Sequence, residues 1–269
     1  KNSRINFKKF YIRRFFRLIP VYTFAMIIAA YFLKGTGLDN WQDSWSNFIY
    51  VNNYITGSYM PWTWSLAIEE QFYIAAPFLI AFVLPLFKRK YLFFGILALI
   101  PIAFTYYYSV HLYHFKIPFE ITFPNENWMH WFWDYYMLTH LRYGGLLCGI
   151  IAAYLNVFYK ARLIDYYQNQ KGLNDFLIVI SMLIFVGISS ISLGQWMIVE
   201  NSVFNSLPAP VGSWYEILHR ELFCYVVAYL ILTCLYSESL FIQPLKRFLS
   251  LNLFYPIAQI SYSAYLFHE

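Results

Sequence analysis

Two adjacent carboxylates, Glu69 and Glu70, stand in an otherwise apolar stretch, PWTWSLAIEEQFYIAAP at residues 61–77. An ionised acid at the bilayer centre costs about 2.5–3.5 kcal/mol on insertion scales, so acids in such runs face a bundle interior or a wet cavity. Neighbouring helical residues point about 100° apart. Ser65, Glu69 and Phe72 or Tyr73 therefore share one face, and Glu70 turns toward Tyr73 and Pro77. Two roles stay open for Glu69. It pairs with an arginine of another helix, Arg142 or Arg220, or it lines a cavity where a desolvated carboxyl serves proton transfer. Glu70, close to the start of its helix, is also placed to meet the favourable end of the helix dipole.

A second chemical cluster is FKKFYIRRFFRLIPVY at residues 7–22. Phe7, Phe10 or Tyr11, Phe15 and Leu18 recur at helical spacing, and Lys8, Lys9, Arg13, Arg14 and Arg17 fill the other faces. The pattern predicts an amphipathic helix entering the membrane from the cytoplasm. One use is anchorage on anionic lipid, worth about 1 kcal/mol per basic residue near the surface. Another is a phosphate clamp: Arg14 and Arg17, three residues apart, present two guanidinium forks to a soluble phosphate-bearing substrate such as a coenzyme A thioester.

The elements that must position these groups are membrane helices. Of the 269 residues, 60% are hydrophobic, 23% aromatic and 12% charged, against about 25% charged in soluble domains. A membrane helix needs about 20 mostly apolar residues, and segments 18–33, 64–87, 91–108, 140–158, 175–194, 217–236 and 250–268 qualify. With residues 1–17 cytoplasmic, the inner segments 1–17, 88–90, 159–174 and 237–249 hold 15 of the 19 Lys and Arg; Lys34, Lys116, Arg142 and Arg220 fall outside. That alternation sets the orientation, so the net charge of +5 reports topology and not nucleic acid. The outer segments 34–63, 109–139 and 195–216 are longer and rich in Trp, Tyr, Asn and Pro. Such residues form an interfacial belt, and they also suit stacking and hydrogen bonding to a carbohydrate. Cys148, Cys224 and Cys234 are far apart in apolar segments and give no metal-ligand spacing. No secretory signal peptide is present, and the chain starts without Met, as a fragment would.

Three stretches in order resemble the membrane-bound acyltransferase 3 family: RRFFRLIPVY (13–22), WSLAIEEQFYIAAP (64–77) and ISYSAYLFH (260–268). HLRYGGLLCGIIAAYL (140–155) is a weaker match to an Arg-then-Gly helix. The resemblance implies a roughly ten-helix domain, an acyl-CoA donor, commonly acetyl-CoA, and acceptors that are often extracytoplasmic carbohydrates. It places Arg14 and Arg17, with neighbouring Arg13, at acyl-CoA binding, and Glu69 and His268 in the chemistry. Trp64, Ser65, Gln71, Tyr73 and Arg142 would belong to the acceptor side of the cavity. The family's expected histidine base lies on a helix upstream of the basic motif and has no counterpart here, so the chain reads as a partial domain lacking the first two helices and the last. Of the other histidines, His111, His114 and His130 read as loop residues, and His140 and His219 as members of polar networks beside Arg142 and Arg220.

The expectation is therefore an all-α, polytopic inner-membrane bundle of about seven helices in a single partial domain. It would carry an acyl group from cytosolic acyl-CoA to an acceptor hydroxyl, with no resident cofactor, metal or nucleic-acid partner. A proton-coupled exporter of a small molecule or polysaccharide is the alternative, since buried acids and wet cavities suit it too, although paired broken helices are not evident. A non-catalytic assembly subunit, with the motifs serving packing, is the third possibility.

Overall fold

The computed structural model describes residues 6–32, 34, 41–112, 131–196 and 209–267, and no strand occurs among them. The helices are α1 (Phe7–Phe32), α2 (Ser44–Phe48), α3 (Trp64–Phe78), α4 (Lys90–His111), α5 (Thr139–Arg142), α6 (Gly144–Phe158), α7 (Lys160–Asn169), α8 (Lys171–Trp196), α9 (Ala209–Tyr236), α10 (Gln243–Leu249) and α11 (Phe254–Leu266). The protein is the expected all-α polytopic membrane bundle. Five described stretches are long and apolar enough to cross a bilayer: Phe7–Phe32, Pro61–Leu86, Lys90–His111, Lys171–Ser190 and Ser213–Tyr236. A sixth arises if α6 and α7, bent by 90°, are counted together. The expected seventh segment, 250–268, holds α11, which has 13 residues.

Proline explains how the second span is built. Pro61 opens a 3-10 turn at Pro61–Thr63, where a missing N–H costs nothing. Inside α3, Pro77 removes one rung of the ladder. The winding loosens to a π turn at Leu79–Val83 and tightens to 3-10 at Leu84–Leu86. The Lys90 ammonium donates to the carbonyls of Leu84 (2.8 Å) and Phe87 (2.7 Å), satisfying groups the helix end leaves open. Spans tolerate such breaks when neighbours supply the lost partners.

The chain divides into two compact units. The first comprises residues 1–93, 132–139 and 252–269; the second comprises 94–131 and 140–251. In the first, Leu18, Tyr22, Ala25, Met26 and Ala29 recur along one buried face of α1. Four of them join Tyr50, Tyr59, Met60, Leu66, Ala67 and Leu266 in a core. The alanines let helix backbones approach closely, which substitutes for a hydrophobic drive that lipid does not supply. The opposite side of α1, with Phe16, Phe24, Ile27 and Phe32, is exposed, as a lipid-facing surface must be. In the second unit, α9 packs against α6 and α8. Its core of Ile178, Val226, Leu230 and Ile242 is crossed by polar threads: Asn174 donates to Ser237 (2.9 Å) and accepts from the Tyr229 hydroxyl (3.0 Å).

Candidate active site

α1 and α3 run antiparallel, and their contacts can be followed rung by rung. Phe7 stacks on Phe78 at 5.0 Å between ring centroids and on Phe82 at 6.0 Å. One turn further, the Tyr11 hydroxyl donates to the Ile74 carbonyl at 3.0 Å. The next rung is ionic: Arg14 Nη2 meets Glu70 Oε1 at 2.7 Å, and Nε meets Oε1 and Oε2 at 3.2 and 3.4 Å. At the far end Tyr22 and Thr63 exchange a hydrogen bond at 3.2 Å. Eight residues of α1 separate Arg14 from Tyr22, about 12 Å at 1.5 Å per residue. The ion pair therefore sits about 12 Å along α1 from the Tyr22–Thr63 contact, toward the N-terminal end of the helix.

Arg14 is held on two sides. Glu70 takes its Nε/Nη2 edge, and the Tyr73 ring lies under its plane with Cζ 3.2 Å from the ring centroid. The pair is largely buried, with side-chain exposures of 21% for Arg14 and 13% for Glu70. Glu69, the next residue, is half-buried, with Arg14 and Glu70 as its charged neighbours. Among the described residues it makes no hydrogen bond. A carboxylate beside an already neutralised arginine, and not consumed by it, is suited to exchange a proton or to orient a base. Arg13 and Arg17 are exposed.

The remaining motif residues of α3 are taken up locally. Gln71 uses its whole amide: Nε2 donates to the Tyr50 carbonyl (2.6 Å) and to Asn53 Oδ1 (2.8 Å), and Oε1 accepts from Thr139 (2.5 Å). Tyr50 adopts φ 56°, a left-handed backbone unusual for a bulky side chain, at the residue whose carbonyl faces Gln71. Asn53 closes the ring by donating to Thr139 Oγ1 (2.9 Å) and the Met137 carbonyl (3.1 Å). Beside it, Asn47 and Asn52 donate to Thr63 Oγ1, both at 3.2 Å. These three asparagines and Thr63 are fully buried. Ser65 bonds the Tyr265 hydroxyl of α11 at 2.7 Å, and that hydroxyl donates to the Trp62 carbonyl at 2.6 Å. Trp64 packs edge-on against Tyr136 at 5.2 Å. The structure thus brings Glu69, Glu70, Arg14 and Tyr73 together, and fastens Trp64, Ser65 and Gln71 to the surrounding segments. His268, His114 and His130 lie outside the described residues.

Arg142 belongs to the second unit and is half-buried there, with His219, Glu221 and Cys224 of α9 as its electrostatic neighbours. Arg220 pairs with Glu216 one turn away. His219 Nδ1 lies 2.9 Å from the Tyr215 carbonyl. Gly144 opens α6 directly against the Glu221 carboxylate, which occupies the space a Cβ at 144 would need. His140 contacts the Tyr108 hydroxyl (3.3 Å) and packs on Phe104. His111 ends α4 against Tyr107. No group of three or more His, Cys, Asp or Glu able to hold a metal occurs among the described residues.

The model of the acyltransferase domain matches residues 1–269. The chain belongs to the acyltransferase family. Within the chain, similarity to curated proteins is weaker or more local. It is 36% identical over 100 residues to the peptidoglycan O-acetyltransferase OatA of Listeria monocytogenes, covering 30% of the chain and 16% of that protein. It is 24% identical over 293 residues to the nose resistant to fluoxetine protein 6 of Caenorhabditis elegans, covering 96% of the chain and 33% of that protein. The chain thus spans a third or less of either relative. No solved structure matches it.

Proposed function

We propose that the 269 residues act as one membrane-embedded O-acyltransferase domain. In this reading it moves an acyl group, most simply acetyl, from acyl-CoA on the cytoplasmic side to a hydroxyl of an extracytoplasmic carbohydrate. The observation that carries the reading is the buried Arg14–Glu70 pair stacked on Tyr73 with Glu69 at its side, inside two spans of an acyltransferase-family chain. The similarity to a Listeria peptidoglycan O-acetyltransferase supports a polysaccharide acceptor. In the reaction the acceptor oxygen attacks the thioester carbonyl, the C–S bond breaks, and the hydroxyl proton ends on the departing thiol. Glu69 serves that proton's path, and Arg14 holds the neighbouring Glu70 carboxylate in place. The basic mouth formed by Arg13 and Arg17 attracts the donor's phosphates.

The test uses the full-length protein in liposomes with labelled acetyl-CoA and a soluble oligosaccharide. Glu69→Gln preserves shape and removes the ionisable group, so transfer falls about 10²–10⁴-fold, the span of a lost acid–base group. A folded Glu69→Gln protein transferring label at the parent rate removes Glu69 from the chemistry. Oligosaccharide flux without acyl-CoA, and no labelled ester, replaces this reading with export.

A further inference from the structure

The side of the first unit where Ser65 of α3 meets Tyr265 of α11 can be followed proton by proton. Ser65, Glu69, Tyr262 and Tyr265 are all half-buried there. The Tyr265 hydroxyl has one proton, and it goes to the Trp62 carbonyl at 2.6 Å, a group that can only accept. The 2.7 Å contact between Ser65 and Tyr265 therefore has one polarity: Ser65 donates and Tyr265 accepts. That contact uses the Ser65 proton. Among the described residues Ser65 Oγ makes no other hydrogen bond, so its lone pairs remain as acceptors. Tyr262, one turn back along α11, repeats the pattern. Its hydroxyl donates to the Leu18 carbonyl at 3.3 Å, and its oxygen is left to accept.

Glu69 completes the row. It lies one turn, about 6 Å at 1.5 Å per residue, from Ser65 on the same face of α3. Tyr262 and Tyr265 both have its carboxyl as an electrostatic neighbour. It makes no hydrogen bond among the described residues, and as a carboxylate it too only accepts. Ser65 Oγ, Tyr262 Oη and Glu69 thus form a wall that accepts and does not donate. A thioester carbonyl or a phosphate is itself an acceptor and finds no partner on such a wall. A polyol brings the missing donors, and the hydroxyl that attacks the thioester has to give up its proton in any case. Ser65 is the second residue of α3, at the end that the proposed orientation turns away from the cytoplasm.

We propose that this wall is the subsite for the acceptor sugar: Glu69 takes the reacting hydroxyl, and Ser65 takes a second hydroxyl of the same sugar and so selects the position that is esterified. Tyr265 is a positioning residue. It draws the Ser65 proton away from the sugar and keeps it from closing onto Glu69. The inference rests on the acyl-transfer reading above and adds to it the recognition of the acceptor.

The experiment uses the full-length protein in liposomes, labelled acetyl-CoA, the β-1,4-linked tetramer of N-acetylglucosamine, and analogues of that sugar each lacking one hydroxyl. In the parent, one analogue missing a hydroxyl other than the esterified one should show a KM about tenfold above that of the intact sugar, the effect of one hydrogen bond lost with its partner left unpaired. Ser65→Ala should raise the KM for the intact sugar by the same factor and should no longer distinguish it from that analogue. Tyr265→Phe should do likewise, and the double variant Ser65→Ala/Tyr265→Phe should be no worse than either single one. In all three the KM for acetyl-CoA should stay at the parent value. A merely structural loss lowers the amount of folded protein and does not move these KM ratios. If Ser65→Ala discriminates among the analogues as the parent does, or raises the KM for acetyl-CoA instead, the subsite is overturned and the acyl-transfer reading stands. A parent protein that forms no ester on the intact sugar overturns both readings.

Discussion

The Arg14–Glu70 pair makes a quantitative prediction because both partners are long, largely buried and bound edge to edge. At a charge separation of about 4 Å and an effective dielectric of about 20, their attraction is about 4 kcal/mol. The exposed fractions of 21% and 13% admit some water, which lowers this direct attraction to about 2–3 kcal/mol; the coupling read by a double-mutant cycle is larger, because each single variant also carries the cost of a stranded charge. Glu70→Met leaves Arg14 charged and without its carboxylate, and Arg14→Met leaves Glu70 in the same state. Each should destabilise the protein by about 3–5 kcal/mol, the usual cost of removing one partner of a buried pair. The double variant Arg14→Met/Glu70→Met removes both charges, and its stability should return to within about 1 kcal/mol of the parent, as buried pairs replaced by apolar groups often do. Equilibrium unfolding in mixed micelles, followed by tryptophan fluorescence and completed as a double-mutant cycle, measures the coupling. Single-variant losses that add to within about 0.5 kcal/mol would show that the two side chains do not act as a unit, and would refute the electrostatic account of the site.

Gln71→Leu should cost about 1–3 kcal/mol, because Asn53, Thr139 and the Tyr50 carbonyl lose a buried partner; thermal unfolding in nanodiscs reads it. Gly144→Ala forces the Glu221 carboxylate out of its slot and should lower stability by about 1–3 kcal/mol, whereas Gly149→Ala, with open space around its Cβ, should be neutral or slightly stabilising. Tyr265→Phe removes the hydroxyl that bonds Ser65 and the Trp62 carbonyl, for a loss of about 0.5–1.5 kcal/mol in the same assay.

The helices were legible in the sequence because a run of apolar residues near 20 long has few other uses. The order of the motifs pointed to Glu69 and Arg14, and the structure brings both to the contact of α1 with α3. Which of two neighbouring acids takes the arginine was not legible. The step of about 100° between Glu69 and Glu70 belongs to any α-helix; which of the two faces Arg14 depends on how α3 is turned toward α1, and no local pattern encodes that. The 90° corner at Tyr159 escaped for a related reason: a hydropathy window counts apolar residues and does not sense direction. Asn47, Asn52 and Asn53 suggested a surface ready for sugar, yet all three are buried and bonded within the protein. Their partners Thr63, Met137 and Thr139 are 11 to 86 residues away, beyond the reach of any short motif.

The separation of 56 residues between Arg14 and Glu70 has a consequence for biogenesis. A chain growing at about 5–20 residues per second produces the guanidinium roughly 3–11 s before its carboxylate exists. During that interval α1 holds a guanidinium without its partner, which favours a place at the translocon's aqueous edge or near the lipid headgroups until the span carrying Glu70 arrives. The two spans are therefore expected to enter the bilayer as a hairpin, and a ribosome stalled between them would leave α1 shallow and accessible to a water-soluble label.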